Sequence, residues 1–198
     1  MDTEIREGCR QSPDVLGSRL GEREMSGRRS PGMREWVARS KVERLRQWPT
    51  IERLVAEAAA VPEVAGVIVI GSFAAGRADT LSDVDLFVVA REGDFEAAWE
   101  KRERLSGSGL LTSWEKRRKD NPDVGLYVWL NQDLVLVEAL FCTPGSARLA
   151  ELAPAVVVIG SPSLLDGFRR RPPVRRSEMR FTNPVERAYH QLKEAIRK

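Results

Sequence analysis

Two aspartates, Asp83 and Asp85, stand two residues apart at the head of an apolar run, residues 84–90. If that run is a strand, its period of two turns both carboxylates to one face of a sheet. Carboxylates held side by side repel, and without a cation one of them tends to keep its proton. A divalent metal removes this penalty, and hard oxygen donors suit Mg²⁺. Val84, Leu86, Phe87, Val88 and Val89 would anchor the strand in a core, so the pair is rigidly presented. A third acid, Glu138, lies inside the apolar stretch LVLVEALF, residues 134–141. A charge in so apolar a strand is costly unless it is paired or metal-bound. As a further ligand it would complete the metal site, and it could accept a proton from an attacking hydroxyl. The plainer alternative is a glutamate facing outward from a half-exposed strand.

The residues before the aspartates supply a different chemistry. The run GVIVI, residues 66–70, reads as a buried strand, and GSFAAGRADTLSDVDL, residues 71–86, follows it directly. Gly71 allows close approach of the backbone to a ligand. The next N–H groups and the Ser72 hydroxyl can bind phosphate oxygens. Gly76 is a second permissive point. A helix starting near residues 72–73 would turn its positive end toward an anion. A phosphate binder beside a metal pair describes a site for a Mg-nucleoside triphosphate.

These residues resemble the nucleotidyltransferase superfamily that includes DNA polymerase beta, the aminoglycoside and lincosamide nucleotidyltransferases and the minimal nucleotidyltransferases. The shared pattern is a strand, Gly-Ser, a further Gly, then Ser-Asp-x-Asp running into a strand, with a third acid in a later strand. Here these are Gly71, Ser72, Gly76, Ser82, Asp83, Asp85 and Leu86, then Glu138. The resemblance implies a polymerase-beta-like fold and two Mg²⁺ ions held by Asp83, Asp85 and Glu138. It also implies a triphosphate held by Gly71, Ser72, Gly76 and Ser82. Many members carry an arginine just before the second glycine. This chain has Ala75 there, and Arg77 follows as a candidate substitute on the triphosphate. The third acid is more often Asp than Glu. Only about 30 residues follow Arg169, too few for the helical substrate domain usual in antibiotic-modifying relatives, so a homodimer partner would have to build a large pocket.

The elements that must position these residues can be read along the chain. Residues 33–47 read as a helix stopped by Pro49. Thr50 is a candidate cap for a second helix, with Ile51, Leu54, Val55 and Ala58 on one face. Strands are expected over 66–70, 84–90, 124–130, 134–141 and 155–159, with a tight turn at 131–133 closing a hairpin. Residues 95–105 and 146–152 read as short helices, and 114–123 as a charged loop or helix end. RRRPPVRR, residues 169–176, reads as a linker. A last helix over 184–197 would be capped by Thr182 or Asn183. The outcome is an α+β fold, a mixed sheet of about four to five strands flanked by helices. Residues 1–32 are expected to be disordered, 33–168 to form the nucleotidyltransferase domain, and 169–198 a basic linker and helix.

Composition narrows the classes. Of 198 residues, 42% are apolar and 31% charged, which supports a single packed domain with a tail. No run approaches the roughly 18 apolar residues of a membrane span, and the N-terminus has no apolar segment of a secretory signal. Cys9 and Cys142 cannot build a disulfide framework, and the single histidine, His190, removes most zinc chemistry. A cytoplasmic protein with no membrane partner is expected. His190 reads as a surface or packing residue, both cysteines as inert, and Trp114 as part of a charged surface loop. Net charge is −7 over residues 48–168 and +7 over 169–198. An acidic body that binds a polyanion needs cations to mediate, and the basic tail could touch phosphates or the protein's own acidic body. The leading expectation is Mg²⁺-dependent transfer of a nucleoside monophosphate from a triphosphate, ATP first among them. The acceptor hydroxyl would sit on an aminoglycoside-like small molecule, a protein or an RNA. The alternative is a non-catalytic nucleotide-sensing or antitoxin-like member of the same fold.

Overall fold

β-branched residues fill most positions of strand β1, Val64–Ile70, and apolar residues all but one position of β2, Val84–Ala90. Such strands leave no face for water and must run through the middle of a sheet covered on both sides. The computed structural model, which describes residues 31–117, 119–150, 154–171 and 184–196, places them there. The other strands of this sheet are β3 (Leu110–Arg117), β4 (Val124–Asn131), β5 (Leu136–Cys142) and β7 (Ala155–Ile159). The six run in the order β3-β4-β5-β2-β1-β7. Only β2 and β5 pair in parallel; the remaining neighbours are antiparallel. Two short strands, β6 (Arg148–Ala150) and β8 (Arg169–Arg171), form a separate parallel pair.

Helices α1 (Pro31–Ser40) and α2 (Trp48–Ala59) cover one face of the sheet. Met33, Trp36, Ile51, Leu54 and Ala58 from these helices pack with Val67, Val69, Val84, Leu86, Val88, Val137 and Ala139 from the strands. The alternate strand residues Ile68, Phe87, Val89, Cys142 and Val157 point to the opposite face, where Ala147 and Phe168 join them. There the Phe168 ring meets Phe87 edge-on at 5.2 Å between centroids. Short helices α3 (Gly71–Ala74), α4 (Phe95–Glu100) and α5 (Arg102–Ser106) link the strands, and α6 (Pro184–Ile196) lies at the end of the chain.

The α+β class and the flanked mixed sheet agree with the expectation, but the strand count does not. Residues 114–123 were expected to be loop or helix end; 119–123 are loop, but 114–117 belong to LLTSWEKR, which forms edge strand β3. Its charges hid it. Glu115 pairs with Arg102, and Arg117 donates two bonds to the Glu96 carboxylate at 2.7 and 3.0 Å, as polar edge strands do. That guanidinium also holds the Glu96 carboxyl below its ordinary range. Of the expected helix over 146–152, the described residues 146–150 are turn, bend and strand β6, and the start of the expected linker is β8. The first helix ends at Ser40, because Lys41 adopts a left-handed φ of 53° before a short 3₁₀ turn, Val42–Arg44. The second helix starts at Trp48 rather than after a Thr50 cap, and Thr50 instead accepts a bond from Asn131 Nδ2. The run 95–105 is broken into α4 and α5. Strand β5 starts at Leu136, since Leu134 sits at φ 54°. Cys9, most of the segment 1–32 and the caps Thr182 and Asn183 lie outside the described residues.

Trp36, at 1% exposure, is with Trp129 one of the two largest fully buried side chains of this core. Its Nε1 donates to the Phe73 carbonyl at 2.9 Å, which fastens α1 to α3, the turn after Gly71 and Ser72. Trp36→Ala removes the ring and the indole bond to the Phe73 carbonyl, which keeps its bond from the Gly76 N–H. A loss of about 3–5 kcal/mol in urea unfolding at unchanged m-value is expected; a loss below 1 kcal/mol would show that α1 is dispensable to the core.

Candidate active site

The parallel pairing of β2 with β5 sets Asp85 opposite Glu138 in register. Neighbouring strands lie about 4.8 Å apart, so two carboxylates share one rung. Asp85 and Glu138 alternate with residues that pack under α1 and α2, so both face the opposite side of the sheet. Asp83 precedes β2 by one residue. Asp83 and Glu138 keep 21% and 27% of their side-chain surface exposed, buried enough to be fixed and open enough to meet a ligand.

The loop that delivers Asp83 is held by groups no motif announces. Gln47, fully buried, donates from Nε2 to the carbonyls of Asp79 at 2.9 Å and Ser82 at 2.8 Å. Ser82 Oγ donates to Asp79 Oδ1 and accepts from the Asp79 backbone N–H, both at 2.9 Å. The Ser82 hydroxyl is therefore engaged in shaping the loop. Arg46 donates to the Thr80 carbonyl and to the carbonyls of Asp133 and Leu134. One guanidinium thus ties the loop before Asp83 to the turn before β5, the strand of Glu138. Nothing in the sequence singled out Gln47 or Arg46 for this brace, since both read as the end of a helix over residues 33–47.

Gly71 ends β1 at φ 69°, a left-handed conformation that favours glycine. A Cβ built there would lie 2.7 Å from Asp85 Oδ2, so the carboxylate leans on the glycine's open side. Ser72 is half-buried next to it. Gly76, at φ 65°, turns the chain out of α3, and its N–H donates to the Phe73 carbonyl. Arg77 is exposed. The fold thus brings Gly71 against Asp85, and Asp85 beside Glu138. Ser82 is turned inward to Asp79 and Arg77 outward to solvent.

His190, expected at the surface or in packing, instead reaches the acids from α6. Its Nε2 lies 3.8 Å from Asp83 Oδ2 and 3.9 Å from Glu138 Oε1, with 14% of the side chain exposed. One donor atom each from Asp83, Glu138 and His190 fall within 4.8 Å of one another. Tyr189, beside it, donates its hydroxyl to the Leu134 carbonyl at 3.4 Å, the same carbonyl that Arg46 reaches. Cys142 lies in the core, where burial pushes its thiol up to about 12 and so disfavours the thiolate. Trp114 belongs to β3 and pairs with Val128, which pairs in turn with Glu138.

A methyl group at position 71 tests how closely Asp85 depends on the glycine. Gly71→Ala adds the left-handed penalty of about 1–2 kcal/mol and displaces the Asp85 carboxylate. A lower melting temperature is expected together with loss of divalent-cation stabilisation. A variant that melts lower yet keeps its full response to the cation would separate Gly71 from Asp85.

Comparison with known proteins adds to this geometry. Residues 51–135 match the family model of the nucleotidyltransferase domain, a span that holds Gly71, Ser72, Asp83 and Asp85 and stops just short of Glu138. No curated protein matches the chain. Among solved structures, one described as "Structural Basis for the Activity of a Cytoplasmic RNA Terminal U-transferase" is similar at 14% identity and a TM-score of 0.39. The likeness covers 64% of this chain and 36% of that one. Residues 51–135, with the paired aspartates inside them, are thus the part of the chain that is similar to a nucleotidyltransferase domain.

Proposed function

We propose that this protein transfers a nucleoside monophosphate from a triphosphate to an acceptor hydroxyl, with release of pyrophosphate and dependence on Mg²⁺. The observation that carries this reading is the rung of Asp85 and Glu138, with Asp83 ahead of it and both aspartates inside the stretch that matches the nucleotidyltransferase domain. The donor set fits divalent cations. Hard carboxylate oxygens come from two strands to one sheet face, and donor atoms of Asp83, Glu138 and His190 lie within 4.8 Å. Asp83 and Asp85 would hold the ions, and Glu138 would share one. When bound, the cations neutralise charge on the triphosphate and on the attacking and leaving oxygens.

The chain's own residues do the rest. The N–H groups after Gly71 and the Ser72 hydroxyl bind the β- and γ-phosphates, with Gly76 and the loop shaped by Ser82 giving them room. Arg77 has the reach of an exposed cation toward the triphosphate tail. Phosphates held at the end of β1 set the α-phosphorus over the neighbouring strands β2 and β5. An in-line displacement then brings the acceptor hydroxyl from the side of Glu138, away from the departing pyrophosphate. Glu138 accepts the hydroxyl proton as the new oxygen–phosphorus bond forms. The catalytic unit takes in residues 33–168, with the basic segment 169–198 appended to it. ATP is the first donor to try, and the acceptor classes are an aminoglycoside-like small molecule, a protein side chain and an RNA terminus.

Melting curves with ATP, GTP, CTP and UTP, with and without Mg²⁺, test the site. A ligand at about 100 times its Kd adds roughly 2.7 kcal/mol, a shift of several degrees. A Mg²⁺-dependent rise is expected that Asp83→Asn and Asp85→Asn lack. Glu138→Gln should keep most of the rise while pyrophosphate release with a working acceptor falls by about 10²–10⁴-fold. A Mg²⁺-dependent rise that survives both asparagine variants would overturn the assignment. A rise without turnover on any acceptor would favour a nucleotide-sensing protein of the same fold.

A further inference from the structure

We infer that His190 is a ligand of the same cation as Asp83 and Glu138, so that the site prefers a first-row transition cation to Mg²⁺ and loading it clamps α6 in place. This rests on the proposed role of the two acids as metal ligands. Nε2 of His190 stands almost equally far from two carboxylate oxygens on two elements, at 3.8 and 3.9 Å. Both separations exceed the 2.7–3.2 Å expected of a nitrogen–oxygen hydrogen bond. They fall within the span of two ligands on one ion, since bonds of about 2.1 Å on each side reach at most about 4.2 Å. A single N–H aims at one acceptor, whereas a shared ion draws one nitrogen toward both oxygens.

The setting of the residue agrees. His190 is the chain's only histidine and sits in the basic C-terminal segment, yet it is one of the least exposed described residues of α6. The helix is oriented by its neighbour. Tyr189 bonds the Leu134 carbonyl on the turn before β5, and its ring meets the His190 ring at 82° and 5.9 Å. The same turn is braced by Arg46, so the imidazole is referenced to the frame that holds Asp83 and Glu138. Imidazole nitrogen is a poor donor for Mg²⁺ and a good one for Mn²⁺ and its heavier neighbours, which also accept carboxylates. With donors from β5, the loop before β2, and α6, the bound cation would bridge the sheet to the end of the chain.

Mn²⁺ reports its own ligands, so the test needs no turnover. Full-length protein is titrated with Mn²⁺ and with Mg²⁺, and bound Mn²⁺ is read by pulsed electron paramagnetic resonance for coupling to ¹⁴N. In the unaltered protein, nitrogen coupling is expected, with Mn²⁺ bound at least tenfold more tightly than Mg²⁺, about the effect of one ligand or its support. In His190→Gln the coupling should vanish and Mn²⁺ affinity should fall by about tenfold, while Mg²⁺ affinity changes far less. Amide exchange across residues 184–196 should slow on adding Mn²⁺ in the unaltered protein only. Melting in chelator establishes that His190→Gln is folded, and Tyr189→Phe, folded and with nitrogen coupling retained, separates ligation from helix docking. Bound Mn²⁺ without nitrogen coupling, or an unchanged affinity in His190→Gln, would overturn the ligand role and leave the acids' role standing. Failure of the unaltered protein to bind either cation would overturn both.

Discussion

The parallel pairing of β2 with β5 is the constraint on which the candidate site depends. It is the single parallel contact of the main sheet, and its register sets Asp85 against Glu138. Two acids on one rung would be unfavourable in a plain core, because each is partly removed from water and repels the other. The cost is tolerable because the face they share is the thinner one. The heavy layer of α1 and α2 lies on the other side, where Val84, Leu86, Val137 and Ala139 alternate with the acids and root both strands. Stability comes from one face of these strands and chemistry from the other.

That division places demands on the loops. The chain must leave β1 at Gly71 without a side chain that would strike Asp85, and return to β2 with Asp83 correctly presented. The return is enforced by Gln47 and by the Ser82–Asp79 exchange of bonds, all beneath the acids rather than on them. Arg46 then couples that loop to the turn entering β5, so the two acidic strands share one brace at their common end. Tyr189 joins the same turn, which extends the frame to α6. Residues with no chemical role in transfer therefore set the distances on which transfer would depend.

Much of the site was legible because its signals are local. The spacing of Asp83 and Asp85 marked them as a pair at the head of a strand, and Glu138 stood out as a charge inside an apolar strand. Gly71 stood out as a point where the backbone could approach a ligand, and it adopts a φ of 69°, where glycine is favoured. What the sequence concealed is non-local. Nothing near β5 says that it pairs in parallel with β2 rather than only with its hairpin partner β4. Strand β3 was hidden by Glu115, Lys116 and Arg117, whose charges suit a sheet edge as well as a loop. Gln47 and Arg46 looked like the polar end of a helix. His190 looked like a surface residue because its position depends on where α6 comes to rest, far along the chain from both acids it meets.

The most direct measurement is anomalous diffraction from crystals grown with Mn²⁺ and a non-hydrolysable nucleoside triphosphate. Anomalous density is expected within about 2.0–2.3 Å of carboxylate oxygens of Asp83 and Asp85, with Glu138 beside it and the phosphate chain running to Gly71 and Ser72. A triphosphate bound away from the end of β1, or a metal peak that touches neither aspartate, would contradict the central claim that the β2–β5 rung is the nucleotide and cation site.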